Sequence, residues 1–169
     1  RRHGSRVIGS VRSVKSMRIL LVDDHEMFRE GLRAMLEQQT DLEVVGEAGN
    51  GREAVDLVAK TQPDIVVMDI AMPDLNGIDA ARQIVRGCEG VKVVALSMHA
   101  DKRFVSGMFQ AGASGYLLKK GAARELIEAI RQVADNQIYL SPKVAGAVIE
   151  DYVQHLGTSP SVAGNATLS

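Results

Sequence analysis

Ile65-Val66-Val67-Met68-Asp69 is the stretch whose reading decides the fold. Four apolar residues stand in a row, three of them β-branched, with no polar alternation. That pattern predicts a strand covered on both faces, the kind found in parallel sheets. The run closes on a carboxylate, a costly residue at the end of a buried strand unless a site needs it. Working outward, comparable runs occupy 18–23, 42–47, 64–69, 91–96 and 114–118. Between them lie stripes at helical spacing: Phe28, Leu32, Met35 and Leu36; Ala54, Val55, Leu57 and Val58; Ile78, Ala81, Ile84 and Val85; Phe104, Val105, Met108 and Phe109; Leu126, Ile127, Ile130 and Val133. Strand and helix alternating in this way predict a doubly wound α/β domain with a five-stranded parallel sheet and right-handed crossovers.

Other polar residues fall at the ends of these runs. Asp23 and Asp24 follow Ile19-Leu20-Leu21-Val22, Ser97 closes Val93-Val94-Ala95-Leu96, and Lys119 follows Tyr116-Leu117-Leu118. The carboxyl ends of the strands are where an open parallel sheet keeps its site. Three clustered aspartates repel one another, and a hard divalent cation such as Mg²⁺ removes the conflict. Asp69 can be a ligand, a base or a nucleophile, and a carboxylate nucleophile can form an aspartyl phosphate. Phosphoryl transfer needs positive charge around the phosphoryl oxygens. Lys119 can supply part of it as a point charge, and the Ser97 hydroxyl can donate to a phosphate oxygen.

Composition bounds the alternatives. The chain has 169 residues, 46% hydrophobic and 24% charged, with a net charge of −1. It can bury a core, and it lacks the basic footprint of a nucleic-acid binder. The single cysteine, Cys88, excludes an internal disulfide and a cysteine-based zinc site. No run is long enough to span a membrane, and a cytoplasmic location is expected. Residues 1–16 are basic, and Met17 stands just before the first strand; the expectation is a disordered tail or a segment added for expression. The folded domain is expected over 17–137. Ser141-Pro142 reads as a helix start, and Val144, Val148, Ile149, Tyr152, Val153 and Leu156 form a stripe after it. A linker helix is therefore expected over 138–156, and a flexible linker over 157–169.

The segment Asp69-Ile-Ala-Met-Pro-Asp-Leu-Asn-Gly77 resembles the phosphoacceptor loop of bacterial two-component response-regulator receiver domains. Asp23-Asp24, Ser97 and Lys119 match that family in order and spacing, over residues 17–137. The resemblance implies a flavodoxin-like (βα)5 fold with an added linker helix. It implies that Asp69 accepts phosphate from a sensor histidine kinase. Asp24, Asp69 and the backbone carbonyl of Ala71 would ligate Mg²⁺, with Asp23 close by or acting through water. Ser97 and Tyr116 match the switch hydroxyl and switch aromatic, whose movement remodels the family's fourth helix, fifth strand and fifth helix. Homodimers through that face, or through the first and fifth helices, are expectations of the same kind. Asp23-Asp24-His25-Glu26, Leu96-Ser-Met-His99 and Gly112-Ala-Ser-Gly-Tyr-Leu-Leu-Lys-Lys120 are similar to the NarL/FixJ type, whose members usually carry a LuxR-type helix-turn-helix domain. A receiver cut from a transcription factor is therefore expected, meeting DNA only through a domain absent from this chain. It would be a phosphotransfer acceptor with at most slow autodephosphorylation, and not an enzyme. Lys120 stands where many receivers have proline. His25 reads as a residue at the site rim and His99 as a loop residue; their spacing does not make a metal pair.

Three other readings compete. A phosphatase of the haloacid-dehalogenase type also uses an aspartyl phosphate, but needs a second aspartate where this chain has Ala71. A flavodoxin-like nucleotide or flavin binder needs a Gly/Ser/Thr-rich loop after the first strand, whereas Asp23-Asp24-His25-Glu26 is acidic. A degenerate receiver used only for docking would have no need of the complete acidic set.

Overall fold

The computed structural model describes residues 16–73 and 75–168, with side chains as far as 157. The strands are β1 (Met17–Val22), β2 (Leu42–Ala48), β3 (Ile65–Asp69), β4 (Lys92–Ser97), β5 (Gly115–Leu118) and β6 (Tyr139–Leu140). The helices are α1 (Glu26–Glu37), α2 (Gly51–Thr61), α3 (Gly77–Gly87), α4 (Lys102–Gln110), α5 (Ala122–Ala134) and α6 (Pro142–Leu168). All pairings are parallel, in the order β2-β1-β3-β4-β5-β6.

That order reverses direction at β1. The chain first winds outward to β2, then returns to place β3 on the other side of β1. A crevice opens above the carboxyl ends of β1 and β3, where the two winding directions part. Asp23 and Asp69 stand at those two ends.

Side chains alternate across the sheet because successive Cβ atoms of a strand point to opposite faces. Leu20, Val22, Val66, Met68 and Ala95 pack beneath α2, α3 and α4, against Ala54, Val58, Ile84 and Met108. Ile19, Leu21, Val67 and Leu117 pack on the other face, against Leu32 and Leu36 of α1 and Leu126, Ile130 and Val133 of α5. Every residue of β3, Asp69 included, is buried. The unbroken apolar runs thus have the cause inferred for them: helices on both faces.

Glycine is required where α3 begins. A Cβ on Gly77 would lie 2.4 Å from Ile70 Cα and 2.6 Å from the Asp69 carbonyl oxygen. The Gly77 N–H donates to the Ile70 carbonyl at 3.0 Å, closing the loop that follows Asp69.

Two expectations are corrected. The sheet has six strands and not five, because Tyr139–Leu140 adds to β5 through Tyr139 N–H to Ser114 O at 2.9 Å and Ser141 N–H to Tyr116 O at 3.0 Å. Two residues are too few to leave a periodic trace in the sequence. The helix expected to stop at 156 continues to Leu168. The start of α6 is anchored: Ser141 and Val144 are buried, Val144 joins the core beside Tyr116, and Lys102 of α4 pairs with Asp151 at 3.1 Å. Residues 1–15 and Asp74 lie outside the described residues, so the expected basic tail does too. All peptide bonds among the described residues are trans, Lys119–Lys120 included.

Candidate functional site

The loop after β1 is built on Asp23. Its N–H donates to the Ala48 carbonyl at 3.0 Å, which extends the β1–β2 pairing by one residue. Its Oδ1 accepts the His25 N–H at 2.7 Å, turning the chain into α1. Arg29, one turn into α1, donates to the Asp23 carbonyl and pairs with Glu47 at 2.7 Å. Arg29 and then Arg33 hold the Glu47 carboxyl below its ordinary range, so this strut stays charged. The acidic pair is thereby fixed from both sides.

Asp69 is 1% exposed. Its Oδ1 accepts the Ala71 N–H at 3.2 Å, and its Oδ2 lies 3.2 Å from Lys119 Nζ. Burial pushes its carboxyl above the ordinary range, and the neighbouring charge of Asp23 pushes the same way; the Ala71 N–H and Lys119 oppose them. The carboxylate is therefore held in an environment that favours added positive charge.

Lys119 leaves β5 with its N–H bonded to the Ser97 carbonyl at 2.8 Å. Its ammonium reaches Asp23 Oδ2 at 2.7 Å and stands 4.8 Å from the centre of the Phe28 ring. Its side chain is 8% exposed, so this is a buried cation between two buried carboxylates. The contact with Asp23 Oδ2 is an ion pair whose angles do not make a hydrogen bond, and that buried oxygen has no hydrogen-bond partner. An under-satisfied buried carboxylate oxygen, beside Asp24 and Asp69, suits a hard divalent cation that takes oxygen ligands. Potential ligand atoms of Asp23, Asp24, His25 and Asp69 all lie within 4.8 Å of one another.

The structure thus brings together Asp23, Asp24, Asp69 and Lys119. Ser97 and Tyr116 meet one step away, at His99: Ser97 Oγ accepts the His99 N–H at 2.9 Å, and the Tyr116 hydroxyl donates to the His99 carbonyl at 2.9 Å. Both residues are fully buried, and burial pushes the Tyr116 phenol up. Ala71 follows Asp69 in the loop and touches it through its N–H. His25, read from the sequence as a residue at the site rim, is 64% exposed there, with Nδ1 2.8 Å from Asp23 Oδ1 and 3.2 Å from Asp24 Oδ1. Neither Phe28, read as part of the first helical stripe, nor Arg29 was assigned to the site from the sequence. Their one signal was helical spacing, which puts them a turn beyond the acidic pair and on its side of the helix.

The chain is 43% identical over 136 residues to the transcriptional regulatory protein DegU of Brevibacillus brevis, covering 80% of this chain and 58% of that protein. It is 44% identical over 133 residues to LiaR of Bacillus subtilis, covering 79% and 63%. The chain therefore spans about three fifths of the length of these relatives. A LuxR-family two-component response regulator from Aurantimonas superposes with a TM-score of 0.78 at 38% identity, over 82% of this chain and 99% of that one. The receiver domain of NarL from Mycobacterium tuberculosis gives 0.70 at 31% identity, over 73% and 99%. The NarL/FixJ resemblance read from the sequence stands with these. The family described as the response regulator receiver domain matches residues 19–131, and the chain belongs to it.

Proposed function

We propose that Asp69 is the phosphoacceptor of this receiver and that its phosphorylation by a sensor histidine kinase sets an output carried elsewhere in the full protein. The observation that supports this most directly is the buried Asp69 carboxylate beside the buried Lys119 ammonium at 3.2 Å, at the topological switch point of the sheet. The transfer breaks the phosphorus–nitrogen bond of a phosphohistidine and forms a phosphorus–oxygen bond to an Asp69 carboxylate oxygen. Lys119, now paired with Asp23 and Asp69, has only to turn its ammonium to meet the oxygens of the incoming group. Asp24, Asp69 and the Ala71 carbonyl, with Asp23 close by or through water, would hold Mg²⁺, which neutralises charge on the phosphoryl oxygens when bound.

The switch follows from the His99 backbone. Ser97 holds its N–H and Tyr116 its carbonyl. Turning the Ser97 hydroxyl toward a phosphate gives up its bond to the His99 N–H and loosens the loop into α4. That loosening would reach α6, which packs on α4 and β5. With α6 there, the α1/α5 face is the more open of the two expected dimer surfaces. A DNA-binding domain beyond this chain, transcriptional control and a cytoplasmic location complete the reading; among the described residues no helix is long and apolar enough to cross a membrane. Ala71 offers no general acid, which weighs against turnover as a phosphatase.

The test is labelling with a small phosphodonor and Mg²⁺, read by intact mass. Wild type should gain one phosphate and Asp69→Asn none. Equal labelling of the two proteins would refute the assignment.

A further inference from the structure

We infer that Phe28 is a positioning residue for Lys119: its ring face holds the ammonium within reach of Asp69 while the lysine changes partners during phosphoryl transfer. This rests on the reading of Asp69 as the phosphoacceptor. Lys119 Nζ stands over the Phe28 ring, 4.8 Å from its centre, inside the range in which a cation is drawn to the negative face of an aromatic ring. The lysine side chain is 8% exposed, and the attraction is stronger where water is excluded.

The local fold places the ring there. Phe28 is the third residue of α1, whose entry is fixed by the Asp23 carboxylate on the His25 N–H and by Arg29 on the Asp23 carbonyl. Leu32 and Leu36, one and two turns on, are buried in the core, and Phe28 packs half-buried against the same cluster. Gly121 and Ala123 bring the start of α5 to a groove that Phe28 and Lys119 share. Packed on the core in this way, the ring has little freedom. Lysine carries its charge on a flexible four-carbon stem and gains from such a support.

The other neighbours of the ammonium are polar: Asp23 Oδ2 at 2.7 Å, Asp69 Oδ2 at 3.2 Å and His25 Nδ1 at 3.1 Å. Those contacts are rearranged when a phosphoryl group arrives. The phosphorus–nitrogen bond of the donor breaks, a phosphorus–oxygen bond forms to Asp69, and the charge that faced Lys119 passes to the phosphoryl oxygens. Lys119 keeps all its hydrogens and only re-aims them. A ring face attracts a cation over its whole area and sets no single direction, so its hold persists through that turn. An aliphatic side chain of similar size would wall off water without attracting the charge.

Filling position 28 with mono-, di- and trifluorinated phenylalanine keeps the shape of the ring and weakens its negative face in steps. The rate of labelling by phosphoramidate and Mg²⁺, read by intact mass, should fall in the same steps, by about threefold to tenfold overall. Thermal unfolding should stay as in wild type. Phe28→Leu should match the trifluorinated protein in rate, and Phe28→Tyr should keep within about twofold of wild type. A rate that is unchanged across the fluorinated series, or that falls only as the melting temperature falls, overturns the assignment. The ε-methylene protons of Lys119 give a readout independent of the transfer: the ring current should shift them upfield in wild type and not in Phe28→Leu. If Asp69→Asn is labelled like wild type, the phosphoacceptor reading fails, and the ring-current shift still decides whether Phe28 holds the lysine.

Discussion

Replacing Gly77 by alanine should move Asp69 without touching its side chain. The added Cβ would stand 2.4 Å from Ile70 Cα and 2.6 Å from the Asp69 carbonyl oxygen, where ordinary contacts begin near 3.4 Å. Both obstacles are backbone, so no side chain can swing aside. Either the start of α3 or the end of β3 must shift by nearly an ångström. Overpacking of this severity costs about 3 kcal/mol. Gly77 is the first residue of α3, so the helix-propensity gain of alanine offsets little of that. At about 4 °C per kcal/mol for a domain of this size, the melting temperature should fall by roughly 12 °C. Gly31→Ala is the control. Gly31 lies inside α1, and a Cβ there meets nothing within 4 Å. Alanine should stabilise that helix by about 0.5–1 kcal/mol and raise the melting temperature by a few degrees. Thermal unfolding by circular dichroism reads the signs, and Mg²⁺ titration below each transition reads the site. Gly77→Ala should also bind Mg²⁺ more weakly, because the Asp69 backbone has been displaced; Gly31→Ala should bind it as wild type does. If Gly77→Ala melts with the wild type, the loop has room that the geometry denies, and the argument that Gly77 fixes Asp69 is wrong.

Three further outcomes follow from the site and from α6. The folded Asp69 carboxyl sits above its unfolded value, so its contribution to stability is fully present below the unfolded carboxylate pKa and is lost as pH rises through the folded one. With a chelator present, wild type should therefore gain stability relative to Asp69→Asn on acidification through that window; parallel pH profiles would rule this out. Lys119→Met leaves Asp23 and Asp69 without their buried cation and should cost about 3 kcal/mol in denaturant unfolding, with a larger Mg²⁺-dependent recovery than wild type shows. Val144→Ala removes a fully buried contact between α6 and the core and should cost about 1–2 kcal/mol. Hydrogen exchange should then rise along α6 ahead of the sheet, and uniform exchange would mean that α6 is not docked through Val144.

Much of this was readable in the sequence, for physical reasons. Strands buried on both faces must be apolar throughout, so Ile65 to Met68 and its counterparts announced the parallel sheet. Charge at the end of such a strand is expensive, so Asp23, Asp69 and Lys119 announced the site. What escaped notice had no such signature. Tyr139–Leu140 is a single pleat repeat, too short to show a period. The placing of His25 Nδ1 beside the carboxylates depends on the turn that the Asp23 side chain makes with the His25 N–H, a detail of dihedral angles and not of residue spacing. The shared grip of Ser97 and Tyr116 on His99 joins residues 19 apart in the chain through backbone N–H and carbonyl groups, which say nothing of residue type.

The short sixth strand has a consequence for solubility. Without it, β5 would be an outer strand with hydrophobic Tyr116 and Leu117 and an open row of peptide groups, a template for pairing with another molecule. Tyr139 and Leu140 occupy that row at Gly115 and Tyr116, and the chain then turns away into α6. At the opposite margin, β2 carries the exposed Glu43, whose charge discourages a neighbouring strand. The domain thus closes the two margins along which it could otherwise polymerise.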